Sequence, residues 1–344
     1  MSSSHLSRRA ALGGVLGGVG AGLALASARP SFAQASSPAK ADQRSTNGGG
    51  FYRFSLGAFE LTLVSDGTFP FAQPHPLFGG NASREQVEAT LAEEFIKPTE
   101  VIGHVNTLHI KTPNASVLID TGCGEAFGPG TGKTFAHLRA AGIDPATIDA
   151  VVITHLHGDH FGGLTSGEGK QTLAKAKKFI SRIEHDFWSG NPDLSKSTLP
   201  AESKAGMAAG AKAALAALSE GGKPQLVGAR DEIAPGIRVV AASGHTPGHI
   251  ALDISSGDSG MLYWADIAHH HAISLPKPDW HVAFDTDPAA AARTRRQVLD
   301  TAASDRLFVS GSHLPFPGIG HVRRLPNPGG EPGGFQFVPS VWRW

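Results

Sequence analysis

The sequence predicts a single α/β domain in which helices cover sheets. Three observations predict it. From Phe51 onward, short apolar runs of strand length alternate with segments of helical periodicity. No internal repeat and no second linker divides that region. With 344 residues, 40% of them hydrophobic, the chain carries enough apolar surface for a large continuous core.

The elements follow in order. Residues 59–64 alternate at period two and predict a strand that ends in a turn at Asp66-Gly67. Residues 108–120 are broken by Pro113-Asn114 and predict a hairpin whose second strand is 116–120. Phe135 and Leu138 share one face of a helix over 134–141, and the apolar run 150–154 predicts a strand. An Ala-rich helix over 200–218 is expected at the surface or over the functional site. Strands are expected at 236–241, 250–254 and 261–265, then a helix over 288–303 and a buried strand at 307–309.

Composition narrows the function. Basic and acidic residues balance at 30 each with no long single-sign run, so neither the basic face of a nucleic-acid binder nor a polybasic membrane patch is expected. Cys123 is the single cysteine, which excludes an intramolecular disulfide and a Cys-rich zinc site. Residues 1–35 read as an export signal: Arg8 and Arg9, then the apolar, glycine-rich run 10–26, then the small-x-small pattern Ala33-Gln34-Ala35. Ser7-Arg8-Arg9 resembles the start of a twin-arginine signal, which predicts a periplasmic or secreted protein exported already folded. The apolar run is too short and too rich in glycine for a stable membrane anchor. Residues 36–50 read as a linker, which leaves 51–344 as the catalytic domain.

Chemistry concentrates where the strand 150–154 ends. His155, His157, Asp159 and His160 lie within six positions. Alternate residues leaving a strand point the same way, so His155 and His157 can grip one ion, while a tight loop turns Asp159 and His160 towards a second. Imidazole and carboxylate together suit zinc, manganese, cobalt or iron, with zinc the leading candidate. No nucleophile elbow is present.

His155-x-His157-x-Asp159-His160 resembles the signature of the metallo-β-lactamase superfamily. Three later motifs match the family's remaining parts in order: Gly244-His245-Thr246-Pro247-Gly248-His249, Trp264-Ala265-Asp266 and Gly311-Ser312-His313. The resemblance implies an αββα sandwich of two mixed β-sheets flanked by helices. It also implies two divalent ions, one held by His155, His157 and His249, the other by Asp159, His160 and His313, with Asp266 bridging. By the same implication a hydroxide shared by the two ions, positioned by Asp266, is the nucleophile. The family resemblance makes His245 a supporting residue rather than a ligand. His269, His270 and His271 are expected in a solvated loop, His104 and His109 in structural places, and Cys123 as a buried inert thiol.

The segments 284–287, 313–321 and 334–339 resemble methyl parathion hydrolase and its lactonase and arylesterase relatives. That implies a small-molecule substrate (a lactone, an aryl ester or an organophosphate triester) and a homodimer. Phe127, Trp188 and Phe316 are the candidate substrate-binding residues. Segments 69–80 and 191–222 depart from the phosphotriesterase pattern. A zinc β-lactamase would place a cysteine at the second ion, where this chain offers histidine. The second reading is an iron-dependent oxidoreductase of the persulfide dioxygenase type on the same fold, against which the complete second ligand set weighs. A nuclease of this fold is the third, opposed by export and neutral charge.

Overall fold

The computed structural model describes residues 49–99, 101–165, 171–326 and 333–341. The expected export signal and most of the linker lie outside these described residues. The first half of the chain builds one sheet of seven strands in sequence order: β1 (Phe51–Leu56), β2 (Phe59–Phe71), β3 (Val101–Lys111), β4 (Ser116–Ile119), β5 (Ala150–Ile153), β6 (Lys177–Ser181) and β7 (Gln225–Val227). Pairing is antiparallel from β1 to β4 and parallel from β4 to β7. Its helices are α1 (Pro74–Leu77), α2 (Arg84–Glu93), α3 (Thr134–Ala140), α4 (Gly158–Phe161), α5 (Arg182–Ser189) and α6 (Ala201–Ser219).

The second half repeats the plan. Strands β8 (Glu232–Ala234), β9 (Ile237–Ala241), β10 (Ile250–Ser256), β11 (Ser259–Tyr263), β12 (Val309–Ser310), β13 (Ile319–Arg324) and β14 (Phe335–Pro339) form a second mixed sheet, with α7 (His271–Ser274) and α8 (Pro288–Ser304). The buried strand expected at 307–309 shifts to the two residues of β12, leaving Leu307 and Phe308 half-buried before it, and β12 pairs in parallel with β11 and antiparallel with β13. No helix among the described residues is long and apolar enough to cross a membrane.

Period-two alternation explains the layering. Val117, Ile119 and Val152 face the interior between the sheets, where they meet Val239, Leu252, Ile254 and Tyr263 of the second sheet. Leu118, Val151 and Ile153 point the other way, into a second core with Leu138, Trp188, Leu215 and Leu218 of α3, α5 and α6. Strands β4 and β5 are therefore apolar on both faces because both faces are covered. On the outside of the second sheet, Leu299 of α8 packs with Trp264 and Val309. The result is the αββα sandwich, with helices on both outer surfaces.

One expectation changes at the start of the first sheet. The strand 59–64 does not end at Asp66-Gly67 but runs on to Phe71, with a register shift against β3 between Ser65 and Gly67. The break in alternation is a bulge, which re-aims a side chain without ending the strand. Gly67 takes φ 132°, and a Cβ there would lie 2.0 Å from the Gly130 carbonyl oxygen. The side chain so aimed is Asp66, fully buried. It accepts from Cys123 N (3.0 Å), Gly132 N (2.9 Å), Thr134 N (3.1 Å) and Thr134 Oγ1 (2.6 Å). These bonds pin the loop after β4 and the start of α3 beneath the site.

Replacing this carboxylate leaves buried donors unpaired. Asp66→Ala is expected to lower the unfolding free energy by about 3–5 kcal/mol, with each stranded donor costing about 1–3 kcal/mol before relaxation. Urea denaturation of wild type and variant measures it, and a loss below about 1 kcal/mol contradicts the role given to Asp66.

Candidate metal centre

The centre lies where the ends of the two sheets meet. Strand β5 finishes at Ile153, and Thr154 anchors the exit by donating from N (2.8 Å) and Oγ1 (2.9 Å) to the Asp120 carboxylate. Asp120 itself adopts a left-handed conformation, φ 59°, at the end of β4. Past Thr154, side chains alternate for three residues. His155 and His157 turn inward, while Leu156 joins the core under α5 and α6. The short helix α4 then carries Asp159 and His160 to the other side of the same space.

Two groups of ligand atoms result. In the first, His245 Nε2 lies 3.0 Å from His155 Nε2 and 2.8 Å from His157 Nδ1. In the second, Asp159 Oδ2 lies 3.5 Å from His160 Nε2 and 3.4 Å from His313 Nε2. Asp266 stands between them. Its Oδ2 is 3.4 Å from His245 Nε2, 3.8 Å from His155 Nε2 and 2.9 Å from His313 Nε2, and its Oδ1 is 3.2 Å from His160 Nε2.

An outer layer of acceptors fixes the rings. His160 Nδ1 meets Asp120 Oδ2 at 2.9 Å, His245 Nδ1 meets Asp285 Oδ1 at 2.7 Å, and His313 Nδ1 meets the His104 carbonyl oxygen at 2.6 Å. With the outer nitrogen donating, the inner lone pair of each ring points at the centre, the tautomer a metal requires. Asp285 is held in turn by the buried guanidinium of Arg295, 3.4 Å away.

Divalent ions fit this donor set. His160 Nε2 and Asp266 Oδ1 are buried and face each other, yet neither has a hydrogen-bond partner. His245 Nε2 has two imidazole nitrogens within 3.0 Å, His155 Nε2 and His157 Nδ1, and its single lone pair or proton cannot satisfy both. Burial lowers the basicity of His155 and His157 well below the ordinary value, and of His245 to about 4, so these rings are neutral ligands at pH 7. The second group attracts positive charge. Burial opposes protonation of His160, but the carboxylates of Asp266, Asp159 and Asp120 overcome it and raise its pKa. Burial likewise opposes ionisation of Asp266, and the His160 and His313 charges hold its carboxyl well below the usual range. The four three-residue groups of this kind among the described residues all fall in this one region.

Six of the seven expected ligands converge here: His155, His157, Asp159, His160, Asp266 and His313. The seventh, His249, does not. Its Nδ1 donates to the Ala242 carbonyl oxygen (2.9 Å) and its Nε2 accepts from Asp266 N (3.1 Å), so both ring nitrogens are occupied by backbone. His249 steadies the turn that carries Asp266, while His245 takes the ligand position. The two histidines are four residues apart in one loop, and sequence spacing does not tell them apart.

Other expectations also change. His269 and His270 are buried rather than solvated, and His271 is half-buried. His269 Nε2 lies 3.2 Å from His245 Nδ1 and 3.5 Å from Asp266 Oδ2. His109 and Cys123 sit as expected: His109 is buried on Ser116 Oγ at 2.8 Å, and Cys123 is buried with its thiol pKa pushed up by desolvation. Trp188 is fully buried away from the cavity, donating from Nε1 to Glu184 Oε1 at 2.7 Å. Phe316 packs against the core between the sheets.

Above the centre opens a cavity of about 340 Å³. Of the three expected wall residues only Phe127 lines it, joined by Phe69, Phe71, Phe78, Phe161 and Phe284. These rings brace one another: Phe71 meets Phe69 and Phe78 edge-on with centroids 5.0 Å apart, and Phe127 lies 5.5 Å from Phe69. The helix α6 closes one side with Gly206, Met207 and Gly210, so the Ala-rich helix does reach over the site. The sequence hid this wall because its members come from separate segments; the density of phenylalanine in 69–78 was the available signal.

The assignment of the third imidazole is testable by metal content. His245→Ala is expected to leave one tightly bound ion per chain, whereas His249→Ala keeps two with roughly tenfold weaker affinity. Elemental analysis after equilibrium dialysis reads both, and the reverse pattern returns the ligand role to His249.

Comparison with known proteins identifies the family. The family model for the metallo-β-lactamase superfamily matches residues 102–313. AidC, a dizinc quorum-quenching lactonase solved with the product N-hexanoyl-L-homoserine, superposes with a TM-score of 0.78 at 28% identity, covering 86% of this chain and 98% of that one. The hydrolase AbOPH of the β-lactamase superfamily gives 0.75 at 28% identity with the same coverage. A probable metallo-hydrolase of Mycobacterium bovis is 25% identical over 193 residues, 48% of this chain, and the chain spans only 57% of that relative's length. The protein belongs to the metallo-β-lactamase superfamily.

Proposed function

We propose that the protein is an exported dinuclear hydrolase of neutral lactones and aryl esters, with organophosphate triesters as further substrates. The observation that carries this reading is the pairing of two ligand groups, joined by Asp266, with a cavity walled by six phenylalanines. Divalent ions held by His155, His157 and His245 and by Asp159, His160 and His313 would supply Lewis acidity and activate water near neutral pH. The likeness to AidC, a dizinc lactonase, supports lactone hydrolysis and two zinc ions. Export rests on the sequence of residues 1–35.

The chain's own residues do the rest. The phenylalanine walls remove water from the acyl or aryl part of a substrate and hold its carbonyl over the centre. Asp159, His157, Asp266 and His313 form the polar floor of the same cavity, so a bound ester has its reacting end on the ligands and its apolar end among the rings. No lysine or arginine lines the cavity among the described residues. A carboxylate-bearing cephalosporin or a nucleic-acid phosphate would find no cationic side chain there to pair with. The shared Asp266 and the complete second group favour this reading over a single-ion oxidoreductase.

The test is a hydrolysis panel on the mature protein: an aryl lactone, an aryl acetate, an acyl-homoserine lactone, methyl parathion and a cephalosporin. Lactones or aryl esters are expected to lead, with the cephalosporin inert. Asp266→Ala is expected to lose at least ~10³-fold in kcat/KM, equivalent to about 4 kcal/mol. Chelator should abolish activity and zinc restore it; activity led by the cephalosporin, or indifferent to chelation, sinks the proposal. Phe127→Ala should raise KM for an aryl substrate about tenfold through lost apolar contact, with kcat nearly unchanged.

A further inference from the structure

We infer that Glu184 is the positioning residue that sets the first ligand group, acting through the two loops that carry its imidazoles. Glu184 lies in the first turn of α5 and is fully buried. Its carboxylate bonds to none of the ligand imidazoles directly. Its Oε1 accepts from Leu156 N (2.9 Å) and Trp188 Nε1 (2.7 Å), and its Oε2 accepts from Thr246 Oγ1 (2.6 Å) and Gly248 N (3.0 Å). Four donors on one buried carboxylate satisfy it fully without any cation.

The partners explain what the carboxylate does. Leu156 is the residue between His155 and His157, and Thr246 follows His245 directly. The first loop leaves β5 in one sheet; the second joins β9 to β10 in the other. One side chain thus ties together two loops from opposite sheets, and those loops bring His155 Nε2 and His157 Nδ1 within 3.0 Å of His245 Nε2. The approach is close enough to require glycine at 248, where a Cβ would fall 2.1 Å from Glu184 N and 2.5 Å from its Cα. Trp188 gains a role as well: it donates to Glu184 from the next turn of the same helix, and its ring meets His157 edge-on with centroids 6.5 Å apart. The second ligand group is held by other groups, Asp120 on His160 and the His104 carbonyl on His313. Loss of Glu184 should therefore weaken one ion selectively.

The inference rests on the dinuclear reading, and the experiment separates the two. Apo-protein is titrated with zinc against a chromophoric chelator, and with cobalt(II) followed by its visible absorption. Wild type is expected to take two ions. Glu184→Gln puts an amide NH₂ against donors and should weaken one ion by about ten- to a hundredfold while leaving the other near wild type. Thr246→Val and Trp188→Phe each remove one donor, keep the fold, and should weaken the same ion by a smaller factor; Thr246→Ser should restore it. A merely structural role would lower the Tm of the apo form and leave both affinities unchanged in the folded protein. Unchanged affinities in folded Glu184→Gln, or in Thr246→Val and Trp188→Phe should Glu184→Gln not fold, overturn the inference alone. A wild type that binds no divalent ion overturns the dinuclear reading with it.

Discussion

Asp266 is the only carboxylate of the site that reaches both imidazole groups, with His245 and His155 on one side and His160 and His313 on the other. Burying such a group in a space lined by histidines is costly unless positive charge is held against it. The architecture around it reduces that cost. Its backbone N–H is taken by His249, the preceding Ala265 accepts a left-handed conformation at φ 48°, and its oxygens face ligands delivered by three separate segments. Strain at a residue next to a ligand is tolerated because the sheet ends on both sides over-determine its position.

The second constraint is direction. An imidazole is useful to a cation only when its lone pair, not its proton, points inward. Asp120, Asp285 and the His104 carbonyl impose that choice on His160, His245 and His313, and each lies in a different part of the chain. Asp66 and Glu184 work one layer further out, holding loops rather than rings. Backbone loops at a sheet edge carry many unpaired N–H groups, and a buried carboxylate that accepts from several of them rigidifies the loop while remaining satisfied.

The cavity shows the same division between polar floor and apolar wall. Phenylalanines bracing one another edge-on give a rigid, dry surface without polar atoms. Such a wall selects by size and apolarity, and the charged chemistry is confined to the floor.

The sequence by itself determined the chemistry and the order of the parts. Strand-length apolar runs located β4, β5, β9, β10 and β11, and the spacing of His155, His157, Asp159 and His160 after β5 showed that four candidate ligands leave one strand end together. Such features are legible because side-chain direction within a few residues follows from backbone geometry alone. Only the tertiary structure decided between His245 and His249, because what disqualifies His249 is a pair of backbone partners, Ala242 and Asp266, up to 17 residues away. It alone buried His269 and His270, turned Trp188 from the cavity to Glu184, extended β2 through a bulge, and gathered phenylalanines from β2, the segment after α1, the loop after β4, α4 and the chain before α8 into one wall. The physical reason is common to all of these. Whether a nitrogen is free to bind an ion, or a ring free to meet a substrate, depends on which distant groups already occupy it, and that is settled only when the two sheets close on each other.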